Sequence, residues 1–247
     1  MHSVRVLSNN KIKEIAKLHQ KKYRDSLKLF IAEGEKAFEE AIKENIEIVG
    51  IYALKTFSPK IKTDKITIVS EEEMKKISTT SSVCEVLVIG KQKDTSKESL
   101  KWNKIILLDR ISDPGNLGTI IRSAAAFGIN GIILFGDSIE LYSPKVIRSC
   151  TGNFYKTPII HIKNIEELKK LFPNHTFIST ALRKENNISF SDAKNIDKKL
   201  IMFGSEAHGL AQELINIADK NIILEMSKNV ESLNLSVCAS IIMYQLF

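Results

Sequence analysis

From residue 104 onward, short apolar runs alternate with amphipathic stretches, and this alternation restricts the fold more than any other feature of the chain. Residues 104–108, 131–135, 158–162, 176–181, 200–203 and 221–225 are rich in Ile, Leu and Phe and short enough for strands. Between them, residues 117–127, 144–150, 165–172 and 209–218 read as helices, and residues 235–247 form a last one. Strands this continuously apolar belong to a sheet buried on both faces, which predicts an α/β fold with a mostly parallel sheet between helices. Such sheets take their ligands at the carboxyl ends of the strands. The loops after Leu108, Phe203 and Glu225 are therefore where chemistry is expected.

The earlier residues form a second region. Three glycines precede residue 100, whereas eight follow between Gly115 and Gly209. Residues 91–104 (KQKDTSKESLKWNK) are polar and charged, with Leu100 and Trp102 as the only large apolar residues, and read as a linker. The expected organisation is a small α/β domain over 1–92, a linker over 93–103 and the parallel-sheet domain over 104–247. In the small domain, Ile12, Ile15, Ala16, Leu18 and Tyr23 predict one helix over 10–27. Residues 34–45 read as a second helix, and residues 29–32, 46–53, 65–69 and 84–89 as strands. Ser70 followed by Glu71, Glu72 and Glu73 is an N-cap signal.

Charge adds a partner class. The formal net charge is +7, and the first 28 residues carry 8 basic residues against 2 acidic ones. Lys13, Lys17, Lys21, Arg24 and Lys28 recur at spacings of three and four, which places them on one face of the predicted helix. A basic face suits the phosphates of a polyanion such as RNA; the bland alternative is a solvated helix face.

Other classes fall away. With 43% apolar residues and few Pro and Gly, the chain is neither disordered nor collagen-like. Cys84, Cys150 and Cys238 are too few and too scattered for a disulfide framework or a zinc cluster, so a reduced cytoplasmic compartment and no metal are expected. No apolar leader follows Met1, and the longest apolar stretch, residues 241–247, is far short of the roughly 20 residues that span a bilayer. G-x-G-x-x-G, G-x-x-x-x-G-K-[ST] and G-x-S-x-G are all absent.

Three strand-end loops remain. The first carries Asp113-Pro114-Gly115 as a turn, Asn116 as a candidate helix cap, and Arg122 inside the helix. In the second, Gly204 permits close backbone approach at a strand end, with Glu206 beside it. The third places Ser232 and Asn234 at the start of a strongly apolar helix. Each piece alone is also what an ordinary capped helix or turn would show.

Together and in this order they closely resemble one family, the SpoU (TrmH-type) RNA 2′-O-ribose methyltransferases of the SPOUT class. Asn116-Leu117-Gly118 through Arg122 matches its first motif, and Phe203-Gly204-Ser205-Glu206 with Gly209-Leu210 its second. Met226 and Ser232-Leu233-Asn234-Leu235-Ser236 match its third. The opening Leu7-Ser8-Asn9-Asn10-Lys11-Ile12-Lys13 through Ala32-Glu33-Gly34 resembles the small substrate-binding domain that many members carry. Two positions depart: Glu225 stands where the family usually has Pro, and Lys228 where it usually has Gly.

The resemblance implies transfer of a methyl group from S-adenosylmethionine to a ribose 2′-hydroxyl of rRNA or tRNA, rRNA ahead of tRNA. It implies a SPOUT domain with a C-terminal trefoil knot, a homodimer whose active site forms at the subunit interface, and no membrane. Asn116, Arg122, Glu206, Ser232 and Asn234 match its catalytic positions, and Gly204, Leu224, Met226 and Leu233 its cofactor pocket. Arginine is effectively never deprotonated, so Arg122 is expected to stabilise the developing alkoxide rather than remove a proton. The alternative is an inactive RNA-binding protein that keeps the fold, for which Glu225 and Lys228 are the best support.

Overall fold

The computed structural model describes residues 7–57, 66–93, 101–182, 185–227, 229 and 232–247. In chain order the elements are α1 (Asn9–Lys17), α2 (Lys21–Leu27), β1 (Leu29–Glu33), α3 (Glu35–Lys43), β2 (Ile48–Leu54), β3 (Ile66–Val69), α4 (Glu71–Ile77) and β4 (Val86–Lys91). They continue with β5 (Lys104–Asp109), α5 (Pro114–Ala126), β6 (Gly131–Phe135), α6 (Pro144–Ser149), β7 (Ile159–Ile162), α7 (Ile165–Leu171) and β8 (Thr176–Ser179). Last come α8 (Phe190–Lys194), β9 (Lys199–Phe203), α9 (Gln212–Asn216), β10 (Lys220–Asn221) and α10 (Leu235–Leu246).

These elements form two compact units. The first spans the described residues of Met1–Lys93 together with Glu140–Tyr155; the second spans those of Asp94–Ile139 and Lys156–Phe247. The stretch Glu140–Tyr155, placed by the sequence within 104–247, thus packs with the first unit. Its charges explain why. Arg24 Nε and Nη2 donate to Glu140 at 2.6 Å each, Arg148 Nη1 donates to Glu33 at 2.6 Å, and Tyr155 N donates to Glu40 at 2.8 Å. Arg24, Glu33 and Glu40 are all buried, and a buried charge needs a partner.

In the first unit the sheet order is β1-β4-β2-β3, antiparallel except for the parallel β2/β3 pair. Ile15 and Leu18 from the helical segments meet Tyr52, Met74, Leu87 and Ile89 in its core. Ser70 caps α4 with a complete capping box to Glu73, as its sequence predicts. The single helix predicted over 10–27 is instead two. Leu18 ends α1, and its carbonyl accepts from Arg24 Nη1 at 2.6 Å. His19 Nε2 lies 2.8 Å from the Ile77 carbonyl. Neither Gly nor Pro marks the break; tertiary partners make it.

The second unit is a six-stranded parallel sheet of order β10-β8-β9-β5-β6-β7. Side chains alternate along the central strands. Ile105, Leu107, Leu200 and Met202 face a core that includes Leu168, Phe172 and Leu214 of α7, its C-cap and α9. Ile106, Leu108, Ile201 and Phe203, also buried, face the opposite side, where α5 and α10 pack together. Trp102, read as part of the linker, is 4% exposed and covers Gly131, where an added Cβ would lie 1.9 Å from the indole. The strand predicted over 221–225 ends at Asn221, where its ladder with β8 stops. Strand order reverses between β5 and β9, so their carboxyl ends flank a switch-point crevice. Among the described residues no helix is long and apolar enough to cross a membrane.

Candidate active site

Helix α5 starts at this crevice. Asp113, not Asn116, is its N-cap: the Asp113 carboxylate accepts from Asn116 N at 2.7 Å, and Pro114 occupies the first turn, where no N–H is needed. The Asn116 side chain is thereby free for other work. Its Nδ2 donates to Glu206 Oε1 at 2.7 Å, and its Oδ1 accepts from Asn234 Nδ2 at 3.0 Å. Asn234 in turn caps α10, its Oδ1 accepting from the backbone of Ser236 and Val237. One residue from each of the three candidate loops therefore joins a single chain of hydrogen bonds. The pairing fixes which end of each amide donates, and leaves Glu206 Oε2 without a partner among the described residues.

The Gly204 loop is held in two ways. Ser205 and Gly209 form a two-way backbone bridge, at 3.1 and 3.0 Å, that turns the chain back on itself. An added Cβ at Gly204 would lie 2.1 Å from the backbone of Gly209 and Leu210. The glycine is required first by its own loop, a reason the sequence did not show. Asp109, buried at the end of β5, accepts from Ala211 N at 2.8 Å and from Arg110. Sequence reasoning missed Asp109 and Asp113; an acid directly after an apolar run and one directly before Pro were the available signals. Gly204→Val is expected to displace this loop and weaken S-adenosylmethionine binding at least about tenfold, given the usual cost of overpacking. Calorimetry would check this, and an unchanged affinity would place the pocket elsewhere.

The third loop leaves the sheet after Ile222 N bonds the Ser179 carbonyl. From Leu224 to Ser227, no backbone group has a hydrogen-bond partner among the described residues. Leu224 and Met226 are half-buried there, and Leu233 is 38% exposed. Backbone amides without partners among the described residues, beside half-buried apolar side chains, suit the edge and faces of an adenine ring. Glu225 is exposed, and Lys228 lies outside the described residues.

Two candidates stand apart from the cluster. Ser232 is exposed and has no partner among the described residues. Arg122 is exposed too and makes no ion pair there; it sits about 9 Å further along α5 than Asn116 and about 120° round it. The basic face also changes. Lys13 and Lys17 are exposed on α1, Lys21 is exposed on α2 and pairs with Asp25, and Lys28 follows as the left-handed C-cap. Arg24 leaves the set: it is 4% exposed, with its guanidinium engaged by Glu140 and the Leu18 carbonyl. The break after Lys17 removes the common face that the spacing implied.

Comparison with known proteins places the two regions of the chain in known families. Residues 9–87 match the model of the MRM3-like substrate binding domain. The 23S rRNA (guanosine(2553)-2′-O)-methyltransferase RlmP of Bacillus subtilis is 28% identical over 255 aligned positions, covering 100% of this chain and 99% of the relative. The crystal structure of an AdoMet-bound rRNA methyltransferase from Sinorhizobium meliloti is 25% identical, with a TM-score of 0.83 over 98% of this chain and 97% of that one. A solved RNA 2′-O ribose methyltransferase is 26% identical, with a TM-score of 0.79 over 99% and 98% of the two chains. Residues 103–244, which hold all three loops, match the model of the SpoU rRNA methylase family, and the chain belongs to that family.

Proposed function

We propose that this protein methylates a ribose 2′-hydroxyl of 23S ribosomal RNA, using S-adenosylmethionine, as a cytoplasmic homodimer. The observation that carries the reading is the Asn234–Asn116–Glu206 chain of hydrogen bonds at the ends of the central strands. The full-length likeness to a 23S rRNA methyltransferase supports rRNA over tRNA. The inactive alternative loses ground, because Glu225 is exposed and leaves the neighbouring backbone of Leu224 and Met226 available.

Bound S-adenosylmethionine supplies a methyl group on a sulfonium, a good leaving group that needs no metal. Gly204, Leu224, Met226 and Leu233 hold its nucleoside by shape and backbone polarity. Asn116 and Asn234, locked in orientation by each other, position the ribose. Arg122 stabilises the negative charge that grows on the 2′-oxygen and holds the adjacent phosphate, while its own proton stays in place; the hydroxyl proton leaves to solvent water as the methyl group is transferred and the neutral thioether departs. The distance of Arg122 from Asn116 along α5 supports a site completed between two copies, with Glu206 Oε2 as the anchor for the arginine of the second copy.

The surface beside Arg122 supports the dimer. On α10, Val237 and Tyr244 are 47% and 67% exposed, on the stripe of one helix face, and Phe127 of α5 packs against Tyr244 with ring centroids 5.7 Å apart. Such a patch is one that a second copy would cover. The trefoil knot has its support in the chain path, which runs out to β10 at the sheet edge and returns to the centre, where Asn234 meets Asn116. Methyl-labelled S-adenosylmethionine and a 23S rRNA transcript test the activity. Label should enter one ribose, found as a single gap in an alkaline-hydrolysis ladder. Label entering tRNA alone would overturn the rRNA assignment, and label entering no RNA would overturn methyl transfer.

A further inference from the structure

The first unit contains a groove that the methyl-transfer chemistry does not use. It lies between α1, α2 and the sheet, with a volume of about 570 Å³, within the range of sites that bury a small organic ring system. Ile15, Leu18 and Ile89 form its floor. Tyr23, Leu27 and Val49 line it as well; Leu27 and Val49 are 54% and 52% exposed, so large apolar surfaces are left to solvent at its mouth.

Polar groups are placed around this apolar slot in a particular way. The Tyr52 side chain is 6% exposed and lines the groove, yet its hydroxyl has no hydrogen-bond partner among the described residues. Burial raises its pKa, so it remains a proton donor. Gly50 opens the space beside it: an added Cβ there would sit 3.0 Å from the Tyr52 hydroxyl. Glu14, another lining residue, supplies an acceptor and pairs with Lys11 at 3.2 Å. Lys17 and Lys22 bring their ammonium groups to 5.7 and 4.8 Å from the centroid of the Tyr23 ring.

We propose that this groove seats one unpaired base of the RNA, stacked on Tyr23 and Leu27, with its edge read by Tyr52 and Glu14 and its flanking phosphates held by Lys17 and Lys22. The proposal rests on the RNA substrate argued above. A base is the ligand class that combines an aromatic face, a donor–acceptor edge and adjacent anions, and sequence-specific RNA recognition works on such splayed-out bases. A peptide would match the apolar floor too, and comparison with an abasic RNA separates it from a base.

The test uses an unstructured RNA nonamer with one 2-aminopurine, the same nonamer with an abasic site in its place, and the 23S rRNA transcript. Wild-type protein should bind the nonamer and quench its fluorescence by stacking. Tyr23→Ala and Leu27→Asp should each weaken that binding by about five- to a hundredfold, abolish the quench and leave the salt dependence unchanged. Tyr52→Phe should cost about two- to tenfold. All three should leave abasic binding and S-adenosylmethionine affinity as in wild type; Leu27 is exposed, so Leu27→Asp should also keep the wild-type melting temperature, whereas Tyr23 is half-buried and the melting temperature of Tyr23→Ala reports its folding separately. Failure of the wild type to quench the probe, or equal nonamer affinities in all variants while the transcript is still methylated, would overturn the base seat and leave the methyltransferase standing. The second result would turn the groove into a surface for a protein segment. A wild type that neither binds nor methylates any RNA would remove the underlying reading, and the base seat with it.

Discussion

Arg122→Ala is expected to lower methyl transfer by about 100- to 1000-fold, the usual loss when one preorganised electrostatic stabiliser is removed. S-adenosylmethionine affinity and stability should hardly move, because Arg122 is exposed on α5 with no ion pair among the described residues. Arg122→Lys should fail as well, since an ammonium does not reproduce the planar fork that meets a phosphate and a carboxylate. Asn116→Ala should also be inactive, having lost the link between Glu206 and Asn234. If the site is completed between two copies, the two dead variants rescue each other. Produced together in equal amounts, they pair as mixed dimers in about half of the molecules, each with one intact site, giving about a quarter of wild-type turnover. Full activity in Arg122→Ala would take the guanidinium out of the reaction. No rescue on mixing would put Asn116 and Arg122 in the same subunit's site.

Removing Arg24 should cost stability rather than RNA affinity. Arg24 and Glu140 have side chains 4% and 16% exposed and share two hydrogen bonds of 2.6 Å, and truncating one partner of such a buried pair costs about 3–5 kcal/mol. Arg24→Ala should therefore lower the urea midpoint of the first unit sharply. Arg24→Met combined with Glu140→Leu should restore much of the loss, because no unpaired charge is then left buried. A wild-type midpoint for Arg24→Ala would show that the pair carries no such load. This outcome also decides how the basic face is tested. Reversing Lys17, Lys21 and Arg24 together would confuse unfolding with lost phosphate contacts, whereas reversing Lys13 and Lys17, both exposed on α1, isolates the electrostatic contribution.

The parallel sheet was legible because burial on both faces forces uninterrupted apolar strands, and β6 (Gly131–Phe135) lies where its Gly-Ile-Ile-Leu-Phe run says. Asn116, Glu206 and Asn234 were picked out by the order of three motifs that resemble one family, and the fold joins their side chains in one chain of hydrogen bonds. Long-range partners were not legible. The break between α1 and α2 depends on Arg24 reaching Leu18 and on His19 reaching Ile77, and no local residue type announces it. The strand expected to reach Glu225 has the right composition, but β8 offers it no partner beyond Ser179. Asp109 reads as an ordinary strand end until Ala211, 102 positions later, is seen to donate to it.

Synthesis on the ribosome gives the order of the two units a temporal meaning. When Lys93 has been made, Glu33 already has Ser78 and Thr79 as partners, but the Arg24 guanidinium, destined for burial, still lacks Glu140. The first unit is not complete until roughly sixty more residues have been made, on the order of 3–12 s later at ordinary elongation rates. Within that interval the residues of β5 and β6 are made as well. A fragment ending near residue 93 would lack Glu140, Arg148 and the Tyr155 amide, so it is expected to be less stable than the same residues within the full chain.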